Sequence, residues 1–201
     1  MKIGHSLLIF SLLFLQILVI PTSVIGQLFT QHKFHRLNEK NDLNNNIVND
    51  IVQDTLGYIW VATEGGMARY MDDKFQFFQN DRDDPNSLPH NIVYSLFVDK
   101  QNQVWAMTEA GPGRYSYTYD EFIRYKPDTL NGSFTSMAID NDGLRYFGKY
   151  SGGIWHGRDE LKMLELYDHR TGIDYSEFGV ADLLIDENYL WVAFRVHGFL
   201  R

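Results

Sequence analysis

Residues 46–70 read NIVNDIVQDTLGYIWVATEGGMARY, and residues 91–115 read NIVYSLFVDKQNQVWAMTEAGPGRY. Laid over one another at a constant offset of 45 residues, they coincide without a gap at Asn46/Asn91, Ile47/Ile92, Val48/Val93, Asp54/Asp99, Trp60/Trp105, Thr63/Thr108, Glu64/Glu109, Arg69/Arg114 and Tyr70/Tyr115. A register kept over so long a segment marks an internal repeat. A period of about 40–50 residues is the length of a four-stranded propeller blade.

Working outward, a third copy begins at Phe134 and a fourth at Phe178. Asp140 and Tyr146 take the places of Asp99 and Trp105, and Asp186 with Trp191 holds the same two places in the fourth copy. Within the first copy, Ile47 to Gln53 has strand composition, and Asp54-Thr55-Leu56-Gly57 is a hairpin turn. There the Asp side chain can bond its own backbone and Gly supplies a positive φ. Asn102 substitutes for that glycine in the second copy, as the residue that next best tolerates the conformation. The third copy turns at Asp140-Asn141-Asp142-Gly143, and the shorter fourth at Glu187-Asn188. Tyr58 to Thr63 is apolar on both faces, as a sheet sandwiched between other sheets requires. Met67 to Met71 and Phe75 to Phe78 complete the unit.

The expected fold is therefore all-β: a β-propeller holding about three and a half four-stranded blades of a larger, roughly seven-bladed ring. The blades are placed at 46–80, 91–127, 134–168 and 178–201, the last one incomplete. Phe34-His35-Arg36-Leu37 resembles the outer strands Phe75 to Phe78 and Phe122 to Tyr125. Residues 33–38 are thus expected to close the ring as the outer strand of a later blade, which removes an open edge. Helical repeats are excluded because no 3.6-residue periodicity is present. The aromatic markers Trp60, Trp105, Tyr146 and Trp191 are read as filling the space between blades, not as ligand platforms.

Composition narrows the function. The formal net charge is −8, from 18 Lys+Arg against 26 Asp+Glu, so nucleic-acid binding is disfavoured. There is no cysteine, which removes disulfides, thiolate chemistry and the common Cys-type zinc sites. Lys2 precedes an apolar run from Leu7 to Ile20, broken by Ser11 and Gln16, and Val24-Ile25-Gly26 follows Pro21. This reads as an export signal over 1–26 with cleavage after Gly26. The run is short of the ~20 residues a bilayer span needs.

The seven histidines (His5, His32, His35, His90, His156, His169, His197) show no HExxH spacing and no short-spaced cluster with carboxylates, so no metal site is expected. The loop Asp81-Arg82-Asp83-Asp84-Pro85-Asn86 lacks the Gly and terminal Glu of a calcium loop and reads as an inter-blade turn. Gly111-Pro112-Gly113 is too short for a phosphate cradle. Glu64 and Glu109 could pass for the paired carboxylates of glycoside hydrolysis. They occupy one position in successive repeats, which argues for architecture over catalysis. No cofactor and no enzymatic activity are expected.

Ligand binding is the more productive reading. The turns after the second strand of each blade should gather on one face, carrying Glu64, Glu109, Tyr150, Arg195 and His197. Lys149, Tyr150 and Trp155 depart from the repeat in the third copy, and an aromatic with a charged neighbour suits a sugar, especially an acidic one.

The segments Val48 to Asp54, Gly57 to Thr63 and Gly65-Gly66-Met67, with the linker Asp84-Pro85-Asn86-Ser87-Leu88, resemble the two-component regulator propeller repeats. The third copy departs from the pattern at Tyr146-Phe147-Gly148-Lys149, and the fourth lacks the double glycine. The resemblance implies the exported, periplasmic sensor region of a Bacteroidetes-type hybrid histidine kinase. Such a region senses oligosaccharides and is tied through further blades, a β-sandwich and a membrane helix to a cytoplasmic phosphorelay module. A diguanylate cyclase output is a related architecture. Implied partners are an oligosaccharide, the rest of the propeller with its signalling modules, and a second copy in a homodimer of the intact protein, which is anchored in the inner membrane. A protein-docking scaffold is the second hypothesis, and a propeller lyase or hydrolase the third.

Overall fold

A computed structural model of the chain describes residues 43–125, 132–158, 161–187 and 189–200. The expected export signal at 1–26, the closing strand at 33–38 and Asn188 lie outside these residues. The described residues form strands and turns with no helix.

The first blade is an antiparallel meander of β1 (Val48–Gln53), β2 (Ile59–Thr63), β3 (Gly66–Met71) and β4 (Lys74–Phe78). The second repeats it with β5 (Val93–Val98), β6 (Val104–Thr108), β7 (Gly111–Ser116) and β8 (Glu121–Arg124). The third holds β9 (Phe134–Ile139), β10 (Arg145–Lys149), β11 (Ile154–Gly157) and β12 (Lys162–Leu164). A short hairpin, β13 (Tyr167–Asp168) with β14 (Ile173–Asp174), then intervenes. It was not anticipated from the repeat. Its turn is held by Asp168, which accepts from the Arg170 N–H at 2.9 Å and the Thr171 hydroxyl at 3.0 Å. The fourth sheet is β15 (Val180–Asp186), β16 (Tyr189–Phe194) and β17 (Gly198–Leu200).

One aspartate organises the first hairpin of each of the first three blades. In blade 1, Asp54 Oδ1 accepts from the N–H groups of Leu56 and Tyr58 at 2.9 and 3.0 Å, while Oδ2 accepts from Trp60 Nε1 at 2.7 Å. Blade 2 repeats this with Asp99, Gln101, Gln103 and Trp105. In blade 3, Asp140 accepts from the N–H groups of Asp142 and Leu144 and pairs with the Tyr146 hydroxyl. The repeat therefore keeps Asp and an aromatic donor six residues apart for a reason. One carboxylate shapes the turn and satisfies the polar atom of a ring inserted in the core. Positive φ at Gly57 (89°) and Asn102 (60°) closes the same turns.

The core is laminated between blades. Trp60, Met67 and Phe78 of blade 1 meet Leu88, Val93, Leu96 and Tyr115 of blade 2. Trp105 and Met107 meet Phe134, Met137 and Phe147. Ala138 and Ile154 meet Val180, Leu183 and Phe194. Strand β1 thus lies beside β5, β5 beside β9 and β9 beside β15. This side-by-side succession of sheets on their first strands is the propeller arrangement.

Candidate functional site

The site is built by two features repeated in every blade. The first is a β-bulge in the first strand. The ladders skip Asn49 in β1, Tyr94 in β5, Thr135 in β9 and Ala181 in β15. A bulge leaves one residue unpaired and re-aims its side chain. Asn49 Nδ2 donates to the Val93 carbonyl of the next blade at 2.8 Å, and Thr135 Oγ1 donates to the Val180 carbonyl at 2.7 Å. Tyr94 is too large for such a bond and instead projects its ring toward the third blade.

The second feature is the residue just past the second strand. The N–H groups of Glu64, Glu109, Tyr150 and Arg195 donate to the carbonyls of Ile47, Ile92, Ser133 and Gly179, each immediately ahead of a first strand. Four equivalent positions are thereby anchored at one end of the blades, as the repeat register anticipates.

Together these features make a row across three blades. The Tyr94 hydroxyl donates to Glu109 Oε2 within blade 2. The Tyr94 ring lies beside Tyr150 of blade 3, with centroids 6.4 Å apart and planes inclined by 26°. The Arg195 guanidinium of blade 4 sits 4.1 Å from the Tyr150 centroid. Gly179 permits this approach. A Cβ built there would stand 2.1 Å from the Tyr150 carbonyl oxygen and 3.2 Å from Arg195 Cδ. Tyr150 is 45% exposed, so the row faces solvent.

Hydrogen bonds from the Tyr94 and Ser133 hydroxyls hold the Glu109 carboxyl below its ordinary value, with the charge of nearby His90 acting the same way and burial opposing them. Burial pushes the Tyr94 phenol up, and its bond to the Glu109 carboxylate pushes it further. The row therefore carries an ionised carboxylate at one end, two phenol rings in the middle and a guanidinium at the other.

Glu109, Tyr150 and Arg195 of the sequence-derived candidates are brought together. Glu64 lies exposed at the same end on blade 1, outside the row. Lys149 ends β10 with Nζ 5.9 Å from the Phe134 centroid, and His197 stacks on Phe178 at 3.9 Å and 18°. Trp155 is separated from them. It pairs with Phe147 across the β10–β11 ladder and packs on the layer between blades 2 and 3. Tyr94 was missed, although the mismatch Asn49/Tyr94 inside an otherwise matching run is legible in the sequence.

At the opposite end, the hairpin turns leave grooves between blades. The one between blades 3 and 4, about 390 Å³, is lined by Asp140, Asp142, Tyr146, Glu187 and Tyr189. Thr55 and Asn102 bridge the turns of blades 1 and 2, and Lys100 and Asn141 those of blades 2 and 3. Among the described residues no group of three or more His, Cys, Asp or Glu could hold a metal ion.

A chain of successive four-stranded sheets joined through bulged first strands is a β-propeller. Residues 42–65 and 87–110 match the family model described as "Two component regulator propeller", one match on each of the first two blades. No curated protein matches the chain. Among solved structures, it is similar to the extracellular domain of the putative hybrid two component system BT4673 from B. thetaiotaomicron. The TM-score is 0.68 at 21% identity, over 83% of this chain and 23% of that one. It is also similar to virginiamycin B lyase from Staphylococcus aureus, with TM-score 0.51 at 13% identity, over 76% of this chain and 64% of that one. At such identities the likeness is one of fold. The chain spans less than a quarter of the length of the BT4673 extracellular domain.

Proposed function

We propose that the chain is part of an extracytoplasmic sensor propeller of a two-component signalling protein and that it takes an oligosaccharide along the Glu109–Tyr94–Tyr150–Arg195 row. The row itself carries the reading. Neighbouring tyrosine rings offer apolar faces to the C–H side of sugar rings. The flanking carboxylate accepts from sugar hydroxyls, and the guanidinium donates to them. The site is assembled from three blades, so a ligand lying along it contacts all three and favours one packing of blade on blade. That differential contact is what a sensor needs in order to bias a downstream equilibrium. The two repeat matches and the fold shared with extracellular domains of hybrid two-component systems support the signalling context. The remaining blades, a membrane anchor and a histidine kinase or diguanylate cyclase would belong to the intact protein, acting as a homodimer.

Titration calorimetry of the full chain against a panel of plant, host and microbial oligosaccharides tests this. At least one member should bind, and Tyr150→Ala should weaken it about ten- to a hundredfold, as loss of a stacking platform does. Binding unaffected by Tyr150→Ala would move the ligand elsewhere, and an inert panel would end the glycan reading.

A further inference from the structure

The arginines of the blade sheets spend their donors on the protein. Arg69 donates to the Tyr115 hydroxyl at 2.8 Å and to Gln76, and Arg114 donates to Gln103 at 2.6 Å. Arg124 donates to the carbonyls of Ser87, Asp81 and Asp84, and Arg145 to the carbonyl of Arg158. Arg195 differs from all of these. It is exposed, and among the described residues it makes no hydrogen bond or ion pair through its side chain. Its placement comes from the ring beneath it, 4.1 Å from Cζ to the Tyr150 centroid.

A guanidinium resting on an aromatic face keeps its in-plane N–H donors at the edge, free for a planar acceptor. The stack fixes the group before any ligand arrives, which reduces the ordering cost of binding. Such a fork matches a carboxylate or a sulfate, which accept two parallel bonds. The other end of the row fixes the polarity. Glu109 is ionised and hydrogen-bonded to Tyr94, so it repels an anion and accepts hydroxyls instead.

We infer that the ligand of this row is an acidic saccharide whose carboxylate or sulfate is gripped by Arg195 while its ring lies on Tyr150 and its hydroxyls point toward Glu109. The inference rests on the sugar-binding reading above and assigns the acid recognition to Arg195 of blade 4, not to Lys149 of the Lys149, Tyr150 and Trp155 group that the sequence offers.

The test uses the full chain and matched pairs: oligogalacturonides against their methyl esters, and a sulfated disaccharide against its desulfated form. The acidic member of one pair should bind about ten- to a hundredfold more tightly than its neutral partner, the range for charge-assisted bonds. Which pair responds distinguishes carboxylate from sulfate. Arg195→Gln should erase that preference, so that both members of the responding pair bind the variant with equal affinity. On the unaltered protein, affinity for the acidic member should fall with added salt and affinity for the neutral one should not. Equal binding of both members, or a preference that survives Arg195→Gln, overturns the inference and leaves the glycan reading standing. If neither member of any pair binds the folded protein, both readings fall together.

Discussion

Replacing Asp54 with Asn changes one atom of a residue that is 5% exposed, and it removes the acceptor oxygen that Trp60 and Tyr117 share. Oδ1 can keep the two turn N–H groups of Leu56 and Tyr58. The new amide nitrogen faces Trp60 Nε1 and the Tyr117 hydroxyl, which both donate to Oδ2 in the native protein. The hydroxyl can rotate and accept, but the indole N–H cannot. Trp60 is fully buried, so its donor is stranded at about 1–3 kcal/mol, and the turn bonds lose their charge assistance. Asp54→Asn should therefore cost about 2–4 kcal/mol. Asp140→Asn is the internal control, since Tyr146 stands in for Trp there and its hydroxyl can re-orient. It should cost about 1 kcal/mol. Urea unfolding followed by tryptophan fluorescence reads the difference as a midpoint shift of about 1 M at unchanged slope. In a double-mutant cycle, Asp54→Asn with Trp60→Phe should couple by about 1 kcal/mol or more, because the stranded donor is then gone. Equal midpoints for the two Asp→Asn variants, or strict additivity in the cycle, would refute the reasoning that the repeat keeps Asp and Trp together for this bond.

Gly179→Ala should lower stability by about 1–3 kcal/mol and abolish saccharide binding, because the added Cβ meets the Tyr150 carbonyl at 2.1 Å and forces the blade 3–blade 4 junction apart. Equilibrium unfolding and calorimetry would show both effects in one variant, and an unaltered affinity would separate the junction from the site. The Glu109 carboxyl is held low in the folded protein, so its contribution to stability is present above the unfolded carboxylate range and is lost as pH falls through its lowered folded value. Stability and binding that depend on Glu109 should thus stay level from about pH 8 to pH 5, and Glu109→Gln should remove the acid-side decline that follows. Burial raises the phenols of Tyr115 and Tyr117, with the carboxylates of Asp120 and Asp54 adding to it. Their contribution is fully present below the ordinary phenol range near 10 and is lost as pH rises beyond it. Alkaline absorbance titration should therefore show these rings ionising late and together with unfolding, and early reversible ionisation in the folded state would contradict the burial.

Much of this architecture is readable along the chain. The blade meander follows from a turn signal every hairpin, and the turn signal is a residue-level property: Asp54 or Asp99 capping its own backbone, then Gly57 or Asn102 at positive φ. The grouping of Glu64, Glu109, Tyr150 and Arg195 at one end follows from hairpin parity, since an even number of strands returns each repeat to the same end. Trp155 stands out in the sequence as a departure from the repeat, and the ladder sets it opposite Phe147 in a core layer, away from the row. Tyr94 escaped because it sits in a bulge, and a bulge is a tertiary choice about which residue the ladder omits. The hairpin of β13 and β14 escaped because it belongs to no repeat.

The sequence by itself determined the period, the hairpins and the aspartate–aromatic pairing, because each depends on residues a few places apart whose conformations are governed by local hydrogen bonding and by φ. Only the tertiary structure decided that Tyr94, Tyr150 and Arg195, from three separate blades, share one row. Their meeting depends on how closely one sheet packs against the next. That distance is set where no Cβ fits, at Gly148 against Val180 and Ser136 and at Gly179 against the Tyr150 backbone.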